Sequence, residues 1–136
     1  MINHQLFLGL GSNLGDRAEN IRKAVLLIQA RVGEVVRQSS LIETEPWGFE
    51  SDHCFLNGVI LCETTLTPRQ VLRATQKIER ELGRKSKTTS SYADRPIDID
   101  ILLYDDLTVN EPDLKIPHPL MHERDFVMIP LREIRH

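Results

Sequence analysis

Apolar and polar residues alternate along the chain in a way that predicts four main strands and two short extended pieces. Period-two alternation or short apolar runs bounded by turn residues are typical of strands. The predicted strands cover residues 6–10, 35–43, 54–65 and 96–104, and the short pieces cover residues 107–109 and 114–116. In two of the segments between these strands, apolar residues recur instead at steps of three and four.

Two helices are predicted between these strands. The first has an apolar stripe at steps of three and four, formed by Ile21, Ala24, Val25, Ile28 and Val32. The second carries signals at both ends: Thr67 as N-cap, Pro68 at the first helical position, Gln70 three residues after the cap, and Gly83 as the stop. Its boundaries are therefore the best defined in the chain.

A third helix is predicted over residues 125–134, and Pro130 should either kink it or move its start to a later residue. The order of elements predicts an α+β fold with a ferredoxin-like βαββαβ core. In that fold the helices pack on one face of an antiparallel sheet, and here a short C-terminal strand pair and a helix follow. Because no repeat or linker interrupts the pattern, we expect one domain over residues 1–136.

Composition narrows the class of protein. Hydrophobic residues make up 40% and charged residues 27% of the 136 residues, which is typical of a globular domain. The net charge of −3 argues against nucleic-acid binding, and the apolar runs are too short to span a membrane. Cys54 and Cys62 lie on one predicted strand about 26 Å apart, too far for a disulfide. We therefore expect a cytoplasmic protein with reduced thiols.

Asp98 and Asp100 alternate with isoleucines at positions 97, 99 and 101. In a strand, this spacing places both carboxylates on one face and the isoleucines on the other. Neighbouring carboxylates repel, and a hard divalent cation such as Mg²⁺ is the usual way to keep both ionised. The alternative is an edge strand whose outer face is simply solvated.

A basic segment precedes this acidic pair. Residues 84–95 contain Arg84, Lys85, Lys87 and Arg95 against Asp94, a local charge of +3. Cations beside a carboxylate pair are typical of a site for a metal-bound polyphosphate. The alternative is a solvated loop whose charges have no ligand.

Other motifs are less specific. Gly9, Gly11 and Gly15 match neither a dinucleotide fingerprint nor a P-loop, so we interpret them as turn glycines at a strand-to-helix corner. Asn57 interrupts an apolar strand, and its amide suits an aminopyrimidinone ring, unless backbone groups satisfy it in the core. Phe55 and Phe126 are candidates for stacking on such a ring.

Several motifs together are characteristic of one family. They are Gly11-Ser12-Asn13-Leu14-Gly15-Asp16, Glu43-Thr44-Glu45-Pro46-Trp47-Gly48, Phe55-Leu56-Asn57, Asp94-Arg95-Pro96-Ile97-Asp98-Ile99-Asp100-Ile101, and Pro117-His118-Pro119 through Arg124-Asp125-Phe126. With these motifs the chain resembles the 6-hydroxymethyl-7,8-dihydropterin pyrophosphokinase family over nearly its whole length. The resemblance implies a ferredoxin-like fold and transfer of pyrophosphate from ATP to the pterin hydroxymethyl group. It also implies that AMP is the leaving group and that the reaction is a step of folate biosynthesis.

The resemblance also implies roles for individual residues. Asp98 and Asp100 would hold two Mg²⁺ ions, and Arg84 and Arg95 would neutralise charge around the transferred group. The residues expected to bind ATP are Gln76, Glu79, Arg84, Arg95, Ile101 through its backbone, His118 and Arg124. The residues expected to bind the pterin are Thr44, Pro46, Trp47, Phe55, Asn57, Asp98 and Phe126.

Competing functions remain open at this point. One is a non-catalytic ferredoxin-like module that binds a small ligand or RNA, although an aromatic content of 5% and a negative net charge disfavour RNA. Another is a kinase acting at the γ-phosphorus, which would release ADP. The expected partners are ATP and the pterin only, with no nucleic acid and no membrane, and we expect a monomer.

Overall fold

The computed structural model describes residues 3–45, 53–83 and 96–135. Within these ranges the strands are β1 (His4–Ser12), β2 (Glu34–Gln38), β3 (Ile42–Thr44), β4 (Phe55–Thr64), β5 (Asp98–Tyr104), β6 (Val109–Glu111) and β7 (Leu114–Ile116). The helices are α1 (Arg17–Arg31), α2 (Pro68–Glu81) and α3 (Asp125–Ile134), and a 3₁₀ turn covers Met121–Glu123. In the part of the chain so described, no helix has the length and apolar character that crossing a bilayer requires.

The strand β1 lies at the centre of the main sheet. It pairs antiparallel with β4 on one side and with β5 on the other, and β2 and β3 both pair with β4. The order β2-β4-β1-β5 is that of the ferredoxin-like core, so the predicted fold class is confirmed. The strands β6 and β7 form a separate two-stranded hairpin, as expected.

Both faces of this sheet are covered, which differs from the prediction that the helices pack on one face. Leu6, Leu8 and Leu10 of β1 pack in a core with residues of α1 and α2. Phe7 of β1 belongs to a second core on the opposite face, which contains Val127 and other residues of α3. The central strands carry apolar side chains on both faces, so the third helix covers the face that the first two leave open.

The predicted strand over residues 35–43 is two strands in the structure. Ser39 interrupts the ladder, because its Oγ accepts from the Val59 N–H at 2.8 Å while its own N–H donates to the Val59 carbonyl. The next residue, Ser40, donates from its N–H and its hydroxyl to the Glu133 carboxylate of α3, at 3.0 and 2.8 Å. Side-chain hydrogen bonds thus replace ladder hydrogen bonds at this bend, which hydropathy alone does not reveal.

The helix boundaries follow the sequence signals closely. Thr67 Oγ1 accepts from the Gln70 N–H at 3.2 Å, and Gln70 Oε1 accepts from the Thr67 N–H at 2.9 Å. The predicted capping box of α2 is therefore confirmed. In α3, Pro130 lies inside the helix, so the alternative of a start beyond Pro130 is wrong.

Replacing Thr67 by alanine should lower the free energy of unfolding by about 1 kcal/mol, because the Gln70 N–H loses its acceptor. Urea denaturation of Thr67→Ala measures this change. The matched control is Thr65→Ala, an exposed threonine just beyond β4. Equal stability of the two variants would contradict a stabilising cap.

Candidate active site

Asp98 and Asp100 lie on one face of β5, as their spacing predicts. The alternating isoleucines at positions 97, 99 and 101 are at most 6% exposed and belong to the core with α1 and α2. The two aspartates are partly exposed on the opposite face of the sheet, beside the α3 core that contains Leu102. The chain thus keeps two neighbouring carboxylates at the surface of an otherwise apolar strand.

The register of the sheet places three residues of this face in one row. Asp98 of β5 pairs with Gly11 of β1, and Gly11 pairs with Asn57 of β4. A methyl group on Gly11 would stand 2.8 Å from Asn57 Oδ1, closer than carbon and oxygen atoms tolerate. Gly11 therefore provides the space that the Asn57 amide occupies next to the acidic strand.

Asn57 is held by a side chain of the neighbouring strand. Its Nδ2 donates to Thr44 Oγ1 at 2.6 Å, and the residue is 6% exposed. Thr44 pairs with Phe55 at the end of the β3–β4 ladder, and Phe55 is 9% exposed on the same face. A fixed amide and an aromatic ring thus lie together, as the pterin-pocket prediction requires.

The C-terminal part of the chain brings further predicted residues to this face. The His118 N–H donates to the Leu102 carbonyl of β5 at 3.0 Å, and His118 Nδ1 accepts from the Leu120 N–H at 3.3 Å. The guanidinium carbon of Arg124 lies 5.5 Å from the centroid of the Phe126 ring, a cation–π distance. Phe126 also packs against the α3 core.

Gln76 and Glu79 lie on α2, on the other side of the sheet. Gln76 is half-buried, whereas Glu79 is 2% exposed and its Oε2 accepts from the Ile99 N–H of β5 at 2.8 Å. Glu79 therefore has a structural role, because it satisfies a backbone donor between the two aspartates. Nucleotide contacts by Gln76, Glu79 and the Ile101 backbone stay predictions.

Four predicted site residues lie outside the described residues: Arg84, Arg95, Pro46 and Trp47. Their roles stay predictions of the sequence. The same holds for the basic segment over residues 84–95, to which two of them belong.

The interpretation of Gly9 and Gly11 as turn glycines is wrong. Both lie within β1, and only Gly15, with a φ of 70°, adopts a conformation that favours glycine in the turn before α1. The sequence contains a signal for this placement, since the two glycines alternate with buried Leu8 and Leu10. Alternation at period two indicates a strand with a bare face rather than a turn.

The cysteines take no part in this site. Both are free, and burial raises the pKa of the Cys62 thiol to about 12, so it stays protonated. Among residues 3–45, 53–83 and 96–135, no three histidine, cysteine or carboxylate side chains cluster in a way that could hold a metal.

Comparison with known proteins decides the family. Residues 7–136 match the family model described as 7,8-dihydro-6-hydroxymethylpterin-pyrophosphokinase. The chain belongs to this pyrophosphokinase family. The sequence-based interpretation of the chain as an enzyme of this family is thus confirmed.

Curated relatives extend the match over nearly the whole chain. A 2-amino-4-hydroxy-6-hydroxymethyldihydropteridine pyrophosphokinase of Porphyromonas gingivalis is 50% identical over 131 residues, which is 95% of this chain and 89% of the relative. The protein of the same name from Aquifex aeolicus is 43% identical, over 95% of this chain and 79% of the relative. The sequence similarity to these relatives therefore extends over nearly the whole chain.

A solved structure supports the fold. Wild-type Plasmodium falciparum HPPK-DHPS superposes on 97% of this chain with a TM-score of 0.75 and 17% sequence identity. The chain spans 41% of the length of that larger protein. At this identity the likeness establishes the fold alone.

Glu79→Ala should lower the free energy of unfolding by about 1–3 kcal/mol, because it leaves the buried Ile99 N–H without its acceptor. Chemical denaturation measures the loss, and amide hydrogen exchange at Ile99 should accelerate. Glu79→Gln is the matched control, since it keeps a side-chain oxygen. Unchanged exchange at Ile99 in the alanine variant would contradict this role.

Proposed function

We propose that the chain transfers the pyrophosphoryl group of ATP to the hydroxymethyl oxygen of 6-hydroxymethyl-7,8-dihydropterin and releases AMP, in folate biosynthesis. The observation that carries this proposal is the row formed by Asp98, Gly11 and Asn57 on neighbouring strands. It puts a carboxylate for cation-bound phosphate and an amide for a pterin ring on one face of a rigid sheet. Membership of the pyrophosphokinase family supports the assignment of this row to ATP and the pterin.

Asp98 and Asp100 are suited to hold magnesium, and two ions are expected. Mg²⁺ commonly binds one or two carboxylates and completes its coordination with waters and substrate phosphates. Two partly exposed carboxylates on one strand face fit that pattern. The bound ions would supply neutralisation of the triphosphate charge and alignment of its oxygens.

The cationic residues of the site would bind the triphosphate. Arg124 is 9% exposed and lies beside Phe126, so its orientation is restricted before a ligand arrives. His118 is anchored on β5 by its backbone, and Arg84 and Arg95 are proposed to add positive charge. Preorganised donors stabilise developing negative charge more effectively than mobile ones. Gln76, Glu79 and the Ile101 backbone are proposed to bind the rest of the nucleotide.

The pterin would lie against the β3–β4 end of the sheet. The Asn57 amide has both a donor and an acceptor for the edge of the ring, and Thr44 fixes its orientation. Phe55 and Phe126 would stack on the two ring faces, and Asp98 would lie near the hydroxymethyl group. Pro46 and Trp47 are proposed to complete the pocket.

Positioning accounts for most of the acceleration in this proposal. The hydroxymethyl oxygen attacks the β-phosphorus, the bond from that phosphorus to the α-phosphate oxygen breaks, and AMP departs with the electron pair. The two oxygens must lie in line with the β-phosphorus, which separate pterin and nucleotide subsites on one rigid sheet can achieve. The hydroxyl proton passes to water as the new bond forms, since the two products together carry one more negative charge than ATP.

The non-catalytic module and the γ-phosphoryl kinase are both less favoured. A binding module gives no reason for two aspartates to share the face that carries Asn57. A γ-phosphoryl kinase would form ADP, so the nucleotide product separates it from a pyrophosphokinase. A monomeric state and a cytoplasmic location stay predictions.

The central test is quantitation of AMP and ADP from ATP and Mg²⁺, with and without the pterin. We expect pterin-dependent AMP from the wild-type protein. Asp98→Asn should lower the rate by about 100-fold or more, because it removes charge stabilisation of the transferring group. Asp106→Asn, an exposed aspartate beyond β5, is the matched control and should keep the rate.

Other products would contradict the proposal in different ways. ADP formation would identify an ordinary kinase. Folded protein without any nucleotide product would favour a binding module. A full rate in Asp98→Asn would remove this carboxylate from the magnesium site.

Gly11→Ala should raise the dissociation constant of the pterin about tenfold, because the added methyl group displaces the Asn57 amide. Isothermal titration with α,β-methylene-ATP and Mg²⁺ present measures this constant. Gly9→Ala is the control, since its methyl group would lie 3.5 Å from Leu102, an ordinary contact. Equal affinities of the two variants would remove Asn57 from the pterin site.

A further inference from the structure

Arg17, the first residue of α1, connects this helix to both strands at one end of the sheet. Its Nη1 donates to the Glu43 carboxylate of β3 at 3.1 Å and to the Cys54 carbonyl, just before β4, at 2.9 Å. One guanidinium nitrogen thus bridges the two chain segments at this end of the β3–β4 pair. The helix that carries it is fixed in place, since its residues Ile21 and Ala24 are buried in the core.

The strand end that Arg17 holds is short and carries candidate pterin residues. The β3–β4 ladder consists of the pairs Ile42–Asn57, Glu43–Leu56 and Thr44–Phe55. Side chains alternate along each strand, so Glu43 faces α1 while Thr44 and Phe55 face the candidate active site. Arg17 therefore contacts this end from behind, on the face opposite to the proposed substrates.

A second contact strengthens the same connection. Asn13, which is 2% exposed, donates from Nδ2 to the His53 carbonyl at 3.2 Å. The segment just before β4 is thereby joined by a hydrogen bond to the turn before α1.

That turn is itself well ordered by hydrogen bonds. Asn20 Nδ2 donates to the Leu14 carbonyl at 2.8 Å, and the Asp16 side chain caps α1 by accepting from the Glu19 N–H at 3.2 Å. The Arg17 side chain is 31% exposed and the Glu43 side chain 60%, so water screens this ion pair and it contributes little to folding stability. Its effect is therefore on the position of the strand end rather than on the stability of the fold.

From this geometry we propose that Arg17 is a positioning residue for pterin recognition. It contacts no substrate, but it holds the β3–β4 end so that Thr44, Phe55 and the Asn57 amide stand in the orientation that the ring requires. The inference rests on the proposed function. It predicts a selective defect: the pterin subsite loses its alignment, whereas nucleotide residues such as Gln76 on α2 and Arg124 before α3 keep theirs.

Steady-state kinetics of Arg17→Ala with each substrate varied separately test the proposal. We expect the KM for the pterin to rise about tenfold while the KM for ATP stays the same. The melting temperature should fall too little to account for this defect. Arg17→Lys should restore part of the pterin affinity, since an ammonium group can still reach one of the two acceptors.

Arg22→Ala is the matched control. It removes another arginine of α1, one that pairs with Glu19 of the same helix and does not bridge to β3 or β4. This variant should keep both KM values. Glu43→Gln should give a smaller pterin defect than Arg17→Ala, because the Cys54 carbonyl still accepts from Arg17.

The outcomes distinguish the inference from the function on which it rests. Pterin-dependent AMP from the wild type, with an unchanged pterin KM in Arg17→Ala, would overturn the role of Arg17 alone. Equal increases of both KM values, or a lower melting temperature that accounts for the defect, would assign Arg17 a general structural role and also overturn it. Absence of AMP from the wild type would overturn the proposed function together with this inference.

Discussion

The structure depends on the pairing of β1 with two neighbours at once. This strand lies between β4 and β5, and its leucines at positions 6, 8 and 10 face the core under α1 and α2. A shift of one residue would turn those leucines to the other face, so burial fixes the register on both sides. The same register sets Asp98 and Asn57 on either side of Gly11.

The second face of the sheet carries α3 at one end and the candidate site at the other. Phe7, Val59 and Leu61 anchor α3 at one end, while glycines replace side chains at the other end of β1. Residues distant in sequence meet at the candidate site. The strands and helices that carry them are anchored by buried side chains. A site on such elements keeps its geometry better than one formed by loops alone.

Local signals predicted most of the fold and part of the site. The capping box of α2 and the alternation of Asp98 and Asp100 with isoleucines depend on near neighbours, so the sequence reveals them directly. The bend at Ser39 and the packing of α3 on the second face depend on partners distant in sequence, such as Glu133. For the same reason the sequence does not distinguish the strand glycines from turn glycines: the neighbour that requires Gly11 is Asn57, on another strand.

The most direct test of this account is a crystal structure with α,β-methylene-ATP, Mg²⁺ and the pterin bound. The account predicts the pterin ring over Gly11, with its edge hydrogen-bonded to the Asn57 amide, and magnesium at Asp98 and Asp100. A pterin bound away from this row, or magnesium held by other residues, would contradict the claim that the register of β1 builds the active site.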